Sequence, residues 1–287
     1  MRVVLLVFVC ACLAALGQGQ SSDNIQLGIE PVEPFRIAGN LYYVGSNDLT
    51  SYLIVTPKGN ILIDSGMKEM VPQVIANIEK LGFNPSDVKF ILNSHAHFDH
   101  AGGIAEFRRL TRAKFLASAL DAPLLERGGT GDPNFGDKYS FEPTKPDETF
   151  ANGKQVKLGG TTLTANITSG HTKGCTTWTT TVKESGKNLN VIFVCSVSSP
   201  GYQLVNNKAY PDIVEDYTRS FSWFKNEKVD IFLGSHAGFF DLEGKSKALK
   251  EGAKVNPFVD PKGYREFIDE AEKAFRKKLA EQKAAAK

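Results

Sequence analysis

Ser94-His95-Ala96-His97-Phe98-Asp99-His100-Ala101-Gly102-Gly103 is the stretch of this 287-residue chain that most strongly indicates its fold and chemistry. It places three imidazoles and one carboxylate within six residues. The largely apolar run Val88–Leu92 directly before it predicts a buried strand, and the glycine pair at its end predicts the start of a helix. The sequence therefore predicts a cluster of polar side chains at the end of a strand.

The spacing of these side chains suits two neighbouring metal ions. In an extended chain, residues two apart point to the same side, so His95 and His97 can bind one cation. Asp99 and His100 follow where the backbone turns, and they face a second position. Neutral imidazole and carboxylate are ligands that zinc binds at about 2.0–2.2 Å. Solvated histidines at a polar strand end are the alternative, but four ligand-type side chains in six positions favour a metal site.

The other two of the five histidines in the chain occupy similar positions. His171 follows a strand-like segment and comes directly after Gly170, and His236 follows the apolar run Val229–Leu233. Unrelated core or surface histidines are the alternative, but a shared position at strand ends favours one binuclear centre where several strand ends meet. The expected ligands are His95, His97 and His171 for one zinc ion, and Asp99, His100 and His236 for the other.

This ligand set is typical of a hydrolase. Three protein ligands leave a zinc ion one open position for water, which marks a catalytic rather than a structural site. Two zinc ions roughly 3.5–4 Å apart can share a hydroxide, because zinc lowers the pKa of bound water to about 7. The sequence therefore predicts attack of a metal-bound hydroxide on a carbonyl group, without a serine or cysteine nucleophile.

Composition and charge limit the classes of partner. Hydrophobic residues make up 41% of the chain, which is enough for a sizeable core. The formal net charge of +2 is nearly balanced, so charge gives no reason to expect binding to nucleic acid. We expect a monomer that acts on a small molecule.

Residues 1–17 are interpreted as a secretory signal peptide. Arg2 is followed by the uncharged, mostly apolar run Val3–Leu16, and small residues precede a cleavage point near Gln18. A membrane anchor is the alternative, but the run is shorter than the roughly 20 residues that span a bilayer. The expected location is periplasmic or secreted, with no membrane attachment of the mature form.

The cysteines fit this interpretation without settling their redox state. Removal of the signal peptide takes away Cys10 and Cys12 and leaves Cys175 and Cys195. The remaining pair lies on facing arms of a predicted hairpin that turns at Glu184–Lys187. The two thiols can therefore form a disulfide in an oxidising compartment, or they can remain free and buried.

Strand and helix patterns occur twice in a similar order. Short β-rich runs separated by turn residues lie between Phe35 and Asp64, and again between Gln155 and Cys195. Both halves supply ligands to one centre, and no linker separates them. We predict an α+β fold, a four-layer αββα sandwich, in a single catalytic domain of residues 18–287. The predicted helices are Met70–Leu81, a segment ending near Leu110, Leu120–Arg127, Ile213–Asn226 and Gly263–Glu281.

Several residues outside the ligand set fit supporting roles. Asp64 ends an apolar strand, so we expect it to hydrogen-bond the ligand loop; capping the helix that begins near Met70 is the alternative. Ser196, Ser198 and Tyr202 follow another strand and either line the site or form an ordinary turn. The glycine- and proline-rich segment Gly128–Pro146 predicts a long surface loop, and such loops are often functional.

The segment His95–His100, followed by Gly102-Gly103, resembles the signature of the metallo-β-lactamase superfamily. Asp64, His171 and His236 follow the order expected in that superfamily. Further segments resemble subclass B3 of the metallo-β-lactamases, namely Gly170–Trp178, Ser198–Leu204, Tyr210-Pro211 and Asp216-Tyr217.

The resemblance implies di-zinc hydrolysis of β-lactams in a periplasm-like compartment, and therefore antibiotic resistance. It implies catalytic roles for Asp99 and Tyr202, with Tyr202 near the carbonyl group of the drug. It places Ser196 and Ser198 near the carboxylate of the drug as substrate-binding residues. It also implies that His100, rather than a cysteine, completes the second zinc site.

One departure from the family pattern bears on the alternatives. Where subclass B3 enzymes often have Asp-Ser, this chain has Cys195-Ser196, and we expect that Cys195 does not coordinate zinc. In thioesterase-like and lactonase-like relatives an aspartate near this point bridges the metals, so its absence argues against a thioester or lactone substrate. A secreted protein that binds metal without catalysis is a third possibility, but it would require the open metal positions to be blocked.

Overall fold

Two β-sheets form the centre of the structure, a computed structural model that describes residues 28–286. The predicted signal peptide, residues 1–17, lies outside the described residues. Among residues 28–286, no helix combines the length and apolar character needed to cross a bilayer.

The first sheet has seven strands that follow one another in chain order. The first four strands pair antiparallel, and the fourth to the seventh pair parallel. The parallel part needs helical crossovers, which cover the outer face of the sheet. Its strands are Phe35–Ala38 (β1), Leu41–Tyr43 (β2), Tyr52–Thr56 (β3), Gly59–Ile63 (β4), Val88–Leu92 (β5), Lys114–Ser118 (β6) and Glu148–Phe150 (β7).

The second sheet has five strands, and its first four in the chain form an antiparallel meander. The predicted hairpin turn is confirmed, and Ser185 and Gly186 both have positive φ there, as a two-residue hairpin turn of the favoured twist requires. The strands are Gln155–Leu158 (β8), Thr161–Ile167 (β9), Thr176–Glu184 (β10), Lys187–Val194 (β11) and Ile231–Gly234 (β12), the last parallel to β11.

Within residues 28–286, seven α-helices pack outside the sheets or lie in the loops at their ends. They are Val71–Lys80 (α1), Phe98–Ala101 (α2), Ile104–Thr111 (α3), Ala122–Glu126 (α4), Ile213–Asn226 (α5), Leu242–Lys250 (α6) and Pro261–Ala285 (α7). Short 3₁₀ turns cover Lys68–Met70, Pro85–Asp87 and Ala237–Phe239. Helix α6 and strand β7 are elements that the sequence patterns did not predict.

The core confirms the four-layer arrangement. Side chains of α1 and α3 pack with one face of the first sheet in one cluster. A second cluster joins the inner faces of both sheets to α5 and α7. Between the sheets, the ring centroids of Tyr52 and Phe193 lie 5.0 Å apart and those of Phe150 and Trp178 lie 5.2 Å apart. The two sheets therefore share one interior, and their strand ends meet along a common rim.

Cys175 and Cys195 form a disulfide, which settles the alternative that the sequence left open. Cys175 precedes β10 and Cys195 follows β11, so the bridge closes the open end of the hairpin. A disulfide that closes a loop of this size stabilises a protein by about 3 kcal/mol, mainly by restricting the unfolded chain.

Candidate binuclear metal centre

The ligand loop leaves β5 in an extended conformation and then turns into α2. His97 is the N-cap of α2 and has extended backbone angles, so His95 and His97 project to one side, with ring centroids 4.7 Å apart. Asp99 and His100 lie on α2 itself. The helical turn therefore begins before the glycine pair rather than at it, which corrects the expected start of the helix. At Gly103 a Cβ atom would lie 2.8 Å from Val71 Cγ2 and 2.9 Å from Ser65 O, so the close approach of α1 requires glycine.

Three imidazoles converge on the first position. His97 Nδ1 lies 3.1 Å from His171 Nε2, and the ring of His95 lies 4.7 Å from each of the other two rings. One nitrogen of each ring lies within 4.8 Å of the others, and all three side chains are buried. His95 Nε2 is buried without a hydrogen-bond partner among the described residues, as a nitrogen reserved for a metal would be.

Two imidazoles and one carboxylate converge on the second position. The distances are 3.3 Å from His100 Nε2 to His236 Nε2, 3.3 Å from His100 Nε2 to Asp99 Oδ2, and 3.5 Å from His236 Nε2 to Asp99 Oδ2. Two ligand atoms on a tetrahedral zinc, each about 2.0–2.1 Å from the metal, lie about 3.3 Å apart. The donor atoms are therefore spaced as a zinc ion requires, and the structure brings all six predicted ligands together.

Each ligand histidine has a polar neighbour at the ring nitrogen that faces away from the cluster. Where such contacts are hydrogen bonds, they fix the orientation and tautomer of metal-binding imidazoles, whereas the His100–Asp64 contact at 3.7 Å is an ion-pair contact only. The contacts are His95 Nδ1 to Ser94 Oγ at 3.0 Å, His97 Nε2 to Asp132 Oδ2 at 3.3 Å, His171 Nδ1 to Ser198 O at 2.8 Å, His100 Nδ1 to Asp64 Oδ2 at 3.7 Å, and His236 Nδ1 to Asp48 Oδ1 at 3.2 Å.

Asp64 supports the ligand loop, as the sequence suggested. Its Oδ1 accepts hydrogen bonds from Ser94 N at 2.7 Å and Asn93 Nδ2 at 3.0 Å. The N-cap of α1 is Met70, so Asp64 does not cap that helix. Burial raises the pKa of the Asp64 carboxyl group above its ordinary value, although His100 and Ser94 oppose this shift.

Asp121 joins the two ligand loops, and sequence reasoning missed it. Its carboxylate accepts hydrogen bonds from Ala96 N at 3.0 Å, Thr172 Oγ1 at 2.7 Å and Gly174 N at 2.7 Å. It therefore fixes the loop that carries His95 and His97 to the loop that carries His171. The prediction placed Asp121 inside a helix starting at Leu120, whereas α4 starts at Ala122 and the carboxylate points inward.

Asp48 and Asp132 were also missed. Asp48 lies in a bend near the end of β2, and Asp132 lies in the predicted loop Gly128–Pro146. Within the described chain, this loop has no helix or strand between Glu126 and Glu148, as predicted. An aspartate beside asparagine, glycine or proline is typical of a turn. The only sequence signal for a role of Asp48 or Asp132 at the metal site was therefore the acidic side chain itself.

At His95, His171 and Asp99 the electrostatics favour the protonation states that metal binding requires, whereas neighbouring carboxylates, Asp99 first, raise the pKa of His100 against the effect of burial. Burial lowers the pKa of His95 and of His171 well below that of an ordinary histidine, and neighbouring histidines lower it further. Burial acts to raise the pKa of Asp99, but His100 and His236 hold it well below its usual range. His95 and His171 are therefore neutral and Asp99 is ionised at neutral pH.

The hydroxyl groups predicted to line the site have different environments. Ser196 Oγ and Ser198 Oγ lie 3.1 Å apart, with Ser196 buried and Ser198 exposed. Tyr202 was expected near the substrate carbonyl, but its buried hydroxyl donates to His171 O at 3.1 Å and lies 3.2 Å from His171 Nδ1. Its ring stacks on the imidazole with centroids 5.5 Å apart. The structure therefore places Tyr202 behind His171, because Tyr202 packs into the core.

Cys195 does not supply a ligand, as expected. Its sulfur is bonded to Cys175, and it lies 3.6 Å from His95 Nδ1, the nitrogen that faces away from the cluster. Because a disulfide sulfur is not a thiolate, this position offers no metal-binding anion.

Residues 48–236 match the family model of the metallo-beta-lactamase superfamily. The match covers more than half of the chain and includes all six predicted ligands. The chain belongs to the metallo-β-lactamase superfamily, which confirms both the resemblance and the fold predicted from the sequence.

Solved structures similar to this chain include metallo-β-lactamases. FEZ-1 from Legionella gormanii is 47% identical, with a TM-score of 0.87 over 88% of this chain and 98% of that one. BJP-1, a subclass B3 metallo-β-lactamase of Bradyrhizobium japonicum, is 39% identical, with a TM-score of 0.84 over 90% and 98%. The class B3 di-zinc metallo-β-lactamase LRA-12 from an Alaskan soil metagenome is 36% identical, with a TM-score of 0.81 over 86% and 94%.

A curated relative has a different activity. An N-acyl homoserine lactonase of Bacillus cereus is 32% identical over 23% of this chain. The chain spans 38% of the length of that relative.

Proposed function

We propose that this protein hydrolyses the amide bond of β-lactams with two zinc ions. His95, His97 and His171 would hold one ion, and Asp99, His100 and His236 the other. The observation that carries the proposal is the pair of donor triads, in which His97 Nδ1 and His171 Nε2 lie 3.1 Å apart and the second triad spans 3.3–3.5 Å. When bound, zinc lowers the pKa of water and polarises a carbonyl oxygen, which is the chemistry that amide hydrolysis needs.

Asp99 contributes as a ligand and as an orienting group. Because its pKa lies well below the usual range, Asp99 remains a carboxylate at neutral pH and is a weak base. Its role in catalysis is therefore to accept a hydrogen bond from the attacking water and so direct a lone pair towards the substrate carbonyl.

Ser196 and Ser198 would bind the carboxylate that β-lactams carry beside the reactive ring. Their hydroxyl oxygens lie 3.1 Å apart, which allows both to donate to one carboxylate, and the exposed Ser198 gives access from solvent. Tyr202 is assigned a positioning role, since its hydroxyl holds the main chain of His171.

Lactone hydrolysis is the second candidate, and the lactonase relative favours it. Cys195 argues against it, because the aspartate expected near this point in lactonase-like proteins is replaced by a residue that is part of a disulfide. The 36–47% identity of the three metallo-β-lactamases, each aligned over 94% or more of its own length, supports the first candidate.

The test is steady-state hydrolysis by the zinc-loaded protein of a penicillin, a cephalosporin, a carbapenem, an N-acyl homoserine lactone and a simple thioester. We expect turnover of at least one β-lactam, loss of that activity with a chelator, and its return with zinc. A His236→Ala variant removes one predicted ligand of the second zinc ion and therefore tests whether activity needs that ion. Lactone turnover without β-lactam turnover would overturn the proposal in favour of the second candidate.

We further propose that the protein is exported and confers resistance to β-lactams. The leader-like pattern of residues 1–17 and the disulfide support an oxidising compartment. Expression in a susceptible Gram-negative host should raise the inhibitory concentration of a β-lactam and place the protein in the periplasmic fraction. Deletion of residues 1–17 should abolish both effects, and cytoplasmic retention of the full chain would contradict export.

A further inference from the structure

An apolar groove of about 370 Å³ lies between the C-terminal helix α7 and the loop that follows β11. Three phenylalanines line it, Phe239, Phe267 and Phe275, and the first two face each other with ring centroids 4.9 Å apart. Phe239 and Phe267 remain partly exposed to solvent. Partly exposed aromatic rings that form a concave apolar surface are typical of a site for an apolar group.

The groove lies next to the metal centre. Ser198 belongs to both, because it lines the groove while its carbonyl oxygen lies 2.8 Å from His171 Nδ1. On the other side, the ring centroid of Phe239 lies 5.3 Å from that of His236. The groove therefore has Ser198 in its wall and passes close to His236, at the edge of the metal centre.

One cationic side chain defines the polar character of the groove. Lys278 lines it from α7, and its ammonium group donates a hydrogen bond to Ser199 O. Because Lys278 brings a positive charge to the groove, a second positive charge placed there would be unfavourable. Neutral apolar groups would meet the phenylalanine rings without this penalty.

We propose that the groove binds the substituent that a bicyclic β-lactam carries on the ring carbon next to its carboxylate, and that it prefers neutral aromatic substituents to cationic ones. This inference rests on the proposed function. With the carboxylate at Ser196 and Ser198, the neighbouring ring carbon lies nearest the mouth of the groove. Burial of apolar surface then strengthens binding in proportion to the area covered.

The test uses three cephalosporins with the same acyl side chain and with methyl, (phenylthio)methyl or pyridiniummethyl at this carbon. Ala274→Leu fills the groove from an exposed position on α7, and Ala280→Leu adds the same bulk on α7 away from it. We expect Ala274→Leu to raise KM for the phenylthio compound about ten-fold and to leave KM for the methyl compound unchanged. Ala280→Leu should change neither value, and kcat should change little in either variant.

Lys278→Met tests the charge preference independently. We expect this variant to lower KM for the pyridinium compound several-fold relative to KM for the methyl compound, and an unchanged ratio of the two KM values would overturn the charge preference. Each variant is compared with the wild type on the same compound, so differences in intrinsic reactivity among the three compounds do not affect the result.

Equal effects of Ala274→Leu on all three compounds, or no effect on any, would overturn the groove assignment while leaving β-lactam hydrolysis intact. Absence of turnover of all three by the zinc-loaded wild type would overturn the groove assignment, and it would contradict the proposed function as well if a penicillin and a carbapenem were also left intact.

Discussion

Asp132 Oδ2 lies 3.3 Å from His97 Nε2, and both side chains are buried. The other oxygen of the same carboxylate, Oδ1, accepts hydrogen bonds from Asn134 N at 2.7 Å and Phe135 N at 2.8 Å. Asp132 therefore connects the loop Gly128–Pro146 directly to an imidazole whose Nδ1 faces the metal position. Contacts of this kind orient the ligand and increase its basicity.

The first prediction is that Asp132→Asn weakens zinc binding at the first position. The amide oxygen can still accept from Asn134 N, so the turn is retained, but the negative charge beside His97 is lost. We expect zinc affinity to fall about 10–100-fold in competition with a chromophoric chelator.

Asp137→Asn is the matched control for this measurement. Asp137 lies in the same loop and accepts a hydrogen bond from Gly131 N at 2.8 Å. We expect its replacement to leave zinc affinity unchanged. Equal zinc affinity in the Asp132→Asn variant and the wild type would contradict the positioning role.

The second prediction concerns Asp121, which bonds to both ligand loops. Asp121→Ala would leave the buried Ala96 N and Gly174 N groups without their acceptor. Each such loss costs about 1–3 kcal/mol, so we expect the free energy of unfolding to fall by about 3 kcal/mol or more. Urea unfolding of the chelator-treated protein measures this, with the exposed Asp212→Ala as the control. A loss no larger than that of the control would show that Asp121 does not join the loops.

The metal ligands could be predicted from the sequence because their arrangement is local. His95, His97, Asp99 and His100 follow one strand, and the spacing along an extended chain and a helical turn determines where they point. His171 and His236 could be added because strand ends of one sandwich meet at one rim. The residues that hold the ligands could not be found in this way.

Asp48, Asp121 and Asp132 reach the site from loops whose conformation depends on the assembled fold. These aspartates lie far in sequence from the residues they contact, because Asp121 bonds to Gly174 and Asp48 contacts His236. Strand β7 and helix α6 were missed for a related reason. Strand β7 has three residues, two of them exposed, and α6 has few apolar residues, so neither produces a periodic hydrophobic pattern.

The third prediction is that the disulfide stabilises the fold without taking part in catalysis. Reduction, or the double substitution Cys175→Ala and Cys195→Ala, should lower the free energy of unfolding by about 3 kcal/mol. Because Cys195 is not a ligand, kcat at low temperature should be unchanged. A reductant should have no effect on the double variant, which is the internal control. If the urea midpoint of wild-type unfolding is the same with and without reductant, the stabilising role of the disulfide is contradicted.

The fourth prediction is a pH-dependent contribution from Glu184, which joins β10 to β1. Its carboxylate accepts hydrogen bonds from Arg36 Nη1 at 2.8 Å and from Gly39 N at 2.6 Å. The Arg36 side chain lowers the pKa of Glu184 below the ordinary 4.5, with a further effect from Gly39 N. A lowered folded-state pKa stabilises the fold above pH 4.5, and this contribution is lost as the pH falls through the folded-state value.

Because the Arg36 side chain is half exposed, Glu184→Gln should cost only about 1 kcal/mol or less at neutral pH. The difference from the wild type should disappear at a pH below the folded-state pKa of Glu184, where both side chains are uncharged. Urea unfolding at both pH values tests this, with the exposed Glu281→Gln as the control. A difference that grows as the pH falls would contradict the sign of the effect.

The central claim is that six side chains form two adjacent zinc sites, and anomalous diffraction at the zinc edge from crystals grown with zinc tests it most directly. The account predicts two peaks at the rim of the sandwich. One should lie about 2.0–2.2 Å from His95 Nε2, His97 Nδ1 and His171 Nε2, and the other at the same distance from Asp99 Oδ2, His100 Nε2 and His236 Nε2. A single peak, or two peaks with His171 or His236 turned away from both, would contradict it.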